Sequence, residues 1–211
     1  PQLFKQLLMI SGIDRYFQIP RCFRDEDLRA DRQPEFTQVD IEMSFVDQDD
    51  VFELVEGLFA AMLKVIDIEV EVPFPRMKYD KAMDRFGIDK PDLRFGADIH
   101  DLSDLFKESG YGVFERAVTE GQAVRALSAP GCARYSRKDI EGLEKLAKSH
   151  GALGLAWAKW NDEGMKSPLA KHVGEPRLQQ AYEICGGGTG DLLLMIAAEP
   201  RKASVILGAL R

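Results

Sequence analysis

Cys22-Phe23-Arg24-Asp25-Glu26 leads into a charged stretch that closes on Arg32-Gln33-Pro34-Glu35-Phe36-Thr37-Gln38-Val39-Asp40. An arginine leaves the end of one strand, acids crowd the loop behind it, and an aromatic ring rides on the returning strand. Those are the parts of a nucleotide holder. The guanidinium of Arg24 is a rigid fork of donors that matches a phosphate. The Phe36 ring can stack on a base, and Glu26 can accept from an exocyclic amine. A plain hairpin with a salt-bridged tip has the same spacing, and spacing alone does not separate the two.

Outward from this stretch, Thr37, Val39, Ile41, Met43 and Phe45 alternate with Phe36, Gln38, Asp40, Glu42 and Ser44, which predicts a half-buried strand. Its second face joins a ring, an amide and two carboxylates, and such a face covers solvent or a site. Upstream, Tyr16 to Phe23 reads as the partner strand, with Pro20 pushing it towards an edge or a bulge. Leu3, Phe4, Leu7 and Leu8 recur at helical spacing before Gly12, so a short amphipathic helix opens the chain, with Pro1 suited to its first turn. Downstream, Asp49 or Asp50 is placed to cap a helix whose Val51, Leu54, Val55, Leu58, Phe59, Met62 and Leu63 form a core-packing stripe. Ile68, Val70 and Val72 alternate as a strand, Tyr79 to Phe86 reads as a helix closed by Gly87, and 89–95 is turn-like.

Past residue 98 short elements alternate. Asp101 to Ser109 reads as a helix, Val124 to Leu127 as a strand, and Ser136 to Asp139 as a capping box opening a helix to about Ser149. Leu153 to Trp160 is a strand, Pro176 to Cys185 a helix ended by Gly186-Gly187-Gly188, Asp191 to Ala197 a buried strand, and Pro200 opens a last helix. The fold class expected is α/β (α+β), in two modules, 1–98 and 99–211. Charge divides the same way: 13 basic against 21 acidic residues in 1–98, and 15 against 14 in 99–211. The 211 residues carry a net charge of -7, which argues against wrapping nucleic acid by bulk electrostatics. No run of 18 apolar residues and no secretory start occur, so no membrane partner is expected. Cys22, Cys132 and Cys185 lie far apart with no CxxC pair, which fits a reducing cytoplasm. His100, His150 and His172 lack ligand-spaced partners, so no metal site is expected, and the triple glycine lacks the GK[ST] of a phosphate loop.

Gln2-Leu3-Phe4-Lys5-Gln6-Leu7-Leu8-Met9 and the run from Phe23 to Gln38 resemble the catalytic core of the bacterial-type aspartyl-tRNA synthetases, and the second matches motif 2 of the class II aminoacyl-tRNA synthetases. Relatives for asparagine and lysine usually carry Asn after the Arg, whereas Asp25 and Arg32-Gln33-Pro34 favour the aspartyl type; the run from Asp89 to Phe95 adds to the likeness. Residues 99–211 are similar to the GAD domain inserted in this family and found in tRNA-dependent amidotransferase subunits. The resemblance implies a partial antiparallel class II catalytic domain followed by that insertion. It also implies an aspartate–tRNA ligase that makes aspartyl-adenylate from L-aspartate and ATP, with Mg2+, and passes the aspartyl group to the 3' end of tRNA. Arg24 matches the catalytic arginine between α-phosphate and substrate carboxylate. Asp25, Glu26, Gln33 and Phe36 fall on the ATP side, Asp25 and Asp27 being expected as salt-bridge partners in the loop. Gln2, Lys5, Arg24, Gln38 and Asp40 match the aspartate pocket, where Lys5 pairs with the substrate's side-chain carboxylate. Motif 1, through which the family forms homodimers, and motif 3 are not in the sequence, and the start lies inside a motif. A fragment inactive by itself is therefore the expectation. The competing expectation is a non-catalytic tRNA-interaction module in which the GAD domain is the working part.

Overall fold

The computed structural model describes residues 2–27 and 32–211, so Pro1 and the stretch 28–31 of the charged loop lie outside it. Two compact units divide the chain, residues 1–75 and 76–211. No helix among the described residues is long and apolar enough to cross a membrane.

In the first unit, α1 (Gln2–Ile10) runs to Gly12, whose φ of +91° turns the chain into β1 (Arg15–Gln18). There follow β2 (Arg21–Phe23), β3 (Glu35–Thr37), β4 (Asp40–Met43) and α2 (Gln48–Lys64). The two long strands expected from the alternation are thus each interrupted. Their register is not. Gln18 lies opposite Asp40 in β1–β4 and Arg21 opposite Thr37 in β2–β3, so three residues forward on one side match three back on the other. Pro20 has no N–H for the ladder, but its carbonyl accepts from Gln38 N at 3.1 Å and carries the register across the gap. Ser44 N donates to Asp14 O and Arg24 N to Pro34 O, both at 2.9 Å, extending the same hairpin at each end. Pro20 therefore opens a gap in the ladder without making a bulge.

Several expectations for this unit are corrected. Asp47, rather than Asp49 or Asp50, caps α2: its carboxylate accepts from Asp49 N at 2.9 Å and Asp50 N at 3.3 Å, while Asp50 accepts back from Asp47 N. The run 68–72 joins no ladder among the described residues; Pro73 and Pro75 supply no donors, and the intervening Phe74 N–H goes to the Glu56 carboxylate at 3.1 Å. Phe45 leaves the strand with φ +58° and is 97% exposed. The α2 stripe packs only in part, with Leu54, Phe59 and Met62 exposed. Glu56 is the one buried residue among those described in this unit.

The second unit has a complete core. It begins with α3 (Tyr79–Phe86), then β5 (His100–Asp101), α4 (Ser103–Phe106), α5 (Gly112–Thr119), β6 (Ala123–Ala129), α6 (Arg137–Ser149), β7 (Ala156–Asn161) and β8 (Gly164–Lys166). It closes with α7 (Ala170–Val173), α8 (Glu175–Ile184), β9 (Leu192–Ala198) and α9 (Pro200–Leu210). Antiparallel pairing gives the sheet order β5-β6-β9-β7-β8. Central β9 is buried on both faces, which is why Leu192 to Ile196 reads as an unbroken apolar run. Leu193 and Met195 pack with Phe106, Phe114, Leu178 and Tyr182; Leu192, Leu194 and Ile196 pack with Ile140, Ala147, Ile206 and Leu207. The expected helix over 101–109 is only one turn at α4, and α5 and the short β5 and β8 are additions to the sequence reading.

The unit boundary falls at 75/76, ahead of the charge break at 98/99, because 76–98 is fastened to α9 and β6. Buried Arg125 donates to Ser204 Oγ at 2.7 Å and to Asp84 O at 3.2 Å, with the Asp84 carboxylate also at 2.7 Å. Gly87 (φ +69°) sits against α9 so closely that a Cβ would stand 1.9 Å from Ser204 O. On the opposite side of the sheet, Tyr182 donates its hydroxyl to Ala158 O at 2.5 Å and accepts from Leu193 N at 3.3 Å, linking α8 to two strands.

Trp157 and Trp160 both lie on β7 and report unfolding of this unit by fluorescence. Gly87→Ala is expected to cost about 2–4 kcal/mol in urea unfolding, from the left-handed backbone and the collision together. Tyr182→Phe removes the buried hydroxyl that bonds both Ala158 O and Leu193 N and is expected to cost about 1–3 kcal/mol. Unchanged midpoints would contradict these packing assignments.

Candidate active site

An uninterrupted register fixes which side chains share a face. On one face of the hairpin stand Tyr16, Gln18, Pro20, Cys22 and Arg24, answered by Glu42, Asp40, Gln38, Phe36 and Pro34. Five of the sequence-predicted site residues, Arg24, Glu26, Phe36, Gln38 and Asp40, follow this parity. The opposite face carries Phe17, Ile19, Phe23 and Val39, all exposed. Burial is thus the reverse of that expected near the bend: Phe36, Gln38 and Asp40 are half-buried while Thr37 and Val39 are exposed. Each of these half-buried side chains has its own cover: Lys5 of α1 over Asp40, Cys22 against Gln38, and the Arg24 guanidinium over Phe36.

Lys5 Nζ lies 2.5 Å from the Asp40 carboxylate and 3.5 Å from Glu42, with side-chain exposures of 20% for Lys5 and 13% for Asp40. Gln18 Nε2 donates to the same Asp40 carboxylate at 2.9 Å. Donation from Gln18, then from Lys5, holds the Asp40 carboxyl below its ordinary value, and the bond to Asp40 raises the Lys5 ammonium. Both groups are therefore charged at neutral pH. Cys22 Sγ lies 3.5 Å from Gln38 Oε1 as a weak donor. Gln2, one turn before Lys5, is exposed, and its side chain makes no hydrogen bond to another described residue.

At the loop end the Arg24 guanidinium lies over the Phe36 ring, 5.2 Å from its centroid. Glu26 is 3.9 Å from Arg24 and accepts from Arg32 at 3.0 Å. Arg24, Glu26, Arg32, Gln33 and Phe36 are among the walls of a cleft of about 440 Å3. Asp27 lines it as well, whereas Asp25 is exposed and does not. Among the described residues the loop bridges are those of Glu26; Arg29, the other cation of the loop, lies outside the described residues, and with it any pairing it makes to Asp25 or Asp27.

The alternation in sequence missed the side chains opposite the site. Gln18 and Cys22 look like ordinary strand residues, and their cross-strand numbers are the signal that identifies them. Glu42 reads as surface from sequence and is instead the second carboxylate at Lys5. The second unit has a separate, mainly apolar cleft of about 680 Å3 walled by residues such as Val113, Trp157, Leu169 and Met195, and no predicted site residue lies in it. Among the described residues no group of three or more His, Cys, Asp or Glu could hold a metal ion.

The chain is 52% identical over 212 residues to an aspartate–tRNA(Asp/Asn) ligase of Moorella thermoacetica, covering all of this chain and 35% of the relative. It is 55% identical over 211 residues to an aspartate–tRNA ligase of Clostridium perfringens, again all of this chain and 35% of the relative. An aspartate–tRNA ligase of Geobacillus kaustophilus is 52% identical over 213 residues, with 36% of its length covered. The chain thus spans about a third of the length of these relatives. The family model for class II tRNA synthetases (D, K and N) matches residues 1–190, and the chain belongs to that family.

Proposed function

We propose that the polar face of the hairpin, with Lys5 above it, is the aspartate- and ATP-binding part of an aspartate–tRNA ligase. The observation that carries this reading is the single face: a carboxylate, an amide, an aromatic ring and an arginine follow one another along it in register, and the Lys5 cation of α1 reaches its carboxylate end. L-aspartate is a zwitterion with a further carboxylate, and the face offers a complement to each charge. Asp40 and Gln38 suit the α-ammonium, Lys5 suits the side-chain carboxylate, and Arg24 suits the α-carboxylate where it meets the α-phosphate of ATP. Phe36 supplies the base-stacking surface, and Glu26 and Gln33 line the nucleotide end; Gln2, one turn before Lys5, is taken with the aspartate pocket and Asp25, beside Arg24, with the ATP side.

In the first step an α-carboxylate oxygen attacks the α-phosphorus, the bond to the bridging oxygen breaks, and pyrophosphate leaves with its electrons. In the second a terminal ribose hydroxyl of tRNA attacks the carbonyl and AMP departs. Neither step requires a protein nucleophile, so positioning and charge stabilisation carry the catalysis. Arg24 is the charge-stabilising group, and its planar fork spans two acceptors where a lysine would meet one. Mg2+ is expected with the nucleotide, and none of these roles rests on it. Under the same reading 99–211 is the inserted GAD domain, tRNA and a second copy of the protein are partners, and the setting is the cytoplasm.

Arg24→Ala in the full-length protein is expected to lower aspartate-dependent ATP–pyrophosphate exchange at least about a hundredfold, the scale of one lost charge-stabilising donor. An unchanged rate would remove Arg24 from the site. Lys5→Gln should raise the aspartate KM at least about tenfold and narrow the preference for aspartate over asparagine, since the paired cation is what a neutral amide cannot use. Equal discrimination before and after the change would assign Lys5 to structure alone.

A further inference from the structure

Among the described residues Asp40 has two hydrogen-bond partners, Lys5 and Gln18, and only one of them is free to stay when substrate arrives. Lys5 must turn from Asp40 towards the substrate's side-chain carboxylate. Gln18 has no such second duty. It sits directly opposite Asp40 in the β1–β4 ladder, half-buried on the site face, with Nε2 at 2.9 Å from Asp40 Oδ2. The backbone pairs from Arg15–Met43 to Gln18–Asp40 already join these strands, so the side-chain bond adds little to the hairpin and much to the carboxylate. Gln18 is also neutral. A lysine or arginine there would orient Asp40 while cancelling its charge, whereas an amide orients it and leaves the full negative charge for an ammonium. An ionised carboxylate accepts at several lone-pair sites, so the Gln18 bond and an incoming ammonium can coexist.

We infer that Gln18 is the positioning residue of the aspartate pocket: it holds the Asp40 carboxylate in place while Lys5 is exchanged for the α-ammonium of the substrate. This rests on the aspartate–tRNA ligase reading. Among the described residues the groups facing Asp40 are Lys5 from α1 and Gln18 from β1, with Glu42 of its own strand on the other side of Lys5. Only one of these is altered in the test.

ATP–pyrophosphate exchange by the full-length protein, with aspartate and ATP varied separately over a pH series, tests the inference. Gln18→Met keeps the side-chain length and removes the donor. The aspartate KM should rise about tenfold, the scale of a hydrogen bond to a charged group, with the ATP KM within about twofold. The acid limb of kcat/KM for aspartate should move to higher pH, because the ionised Asp40 loses a stabilising donor. Gln18→Glu places a second carboxylate against Asp40 and should be worse than Gln18→Met at neutral pH, the gap closing as pH falls. An unchanged aspartate KM and acid limb in Gln18→Met would overturn the inference and leave the ligase reading standing. Equal rises in both KM values would also overturn it, as the mark of a generally disturbed hairpin. Absence of aspartate-dependent exchange in the unaltered protein would overturn the ligase reading, and the inference with it.

Discussion

The hydrogen bond from Gln38 N to the Pro20 carbonyl is the contact on which the site geometry turns. Proline takes a donor out of the ladder, and the strands on either side of it could meet in different registers. A slip of one residue would send Phe36, Gln38 and Asp40 to the face now occupied by Phe17, Ile19 and Val39. Because Pro20 still accepts, the register is the same before and after the gap, and Arg24 at one end shares a face with Asp40 at the other. The site is therefore a property of pairing rather than of any one loop.

On that face the charges are arranged so that each is held without being used up. Lys5 faces two carboxylates, and Asp40 faces one cation and one neutral donor. The Asp40 carboxyl is depressed, so the pair's contribution to the folded state is present above the ordinary carboxylate range and fades as pH falls through the depressed value. The Lys5 ammonium is raised, so its share is present below the ordinary lysine range and fades as pH climbs through the raised value. Across neutral pH the Lys5–Asp40 end keeps a fixed pair of opposite charges, the complement that the proposed binding of a zwitterion calls for.

Much of this was legible in sequence, and the failures have a common cause. Alternation over 36–44 revealed the polar face, and likeness to class II motifs named Lys5, Arg24, Phe36, Gln38 and Asp40. Gln18 stayed hidden because its importance lies in what stands across the ladder, and register is set by both strands and the turn between them. The strand expected over 68–72 needed an edge to pair with, and just after it Pro73 and Pro75 offer no donors while the Phe74 N–H goes to the Glu56 carboxylate. The cap of α2 was misplaced by two or three residues because Asp47, Asp49 and Asp50 are chemically alike, and only Asp47 has the extended backbone a cap needs. Composition placed a break at 98, yet the contact of Gly87 with α9 binds 76–98 to the second unit. In each case local pattern was correct about chemistry and silent about a distant partner.

The Lys5–Asp40 pair is less exposed than the Arg24–Glu26 pair, a difference that matches the sizes of the two ligands proposed. Lys5 and Asp40 are 20% and 13% exposed, while Arg24 and Glu26 are 55% and 46% exposed. A small amino acid distinguished by one charged group is best recognised where water is largely excluded and Coulomb interactions are least screened. A triphosphate is a large polyanion, and it needs room to enter and for pyrophosphate to leave. An occluded pair at one end of a ladder and an open arginine beside a ring at the other meet both needs on a single two-stranded scaffold. A glutamine that steadies the occluded end without neutralising it completes the division: charge for recognition inside, access for the phosphates outside.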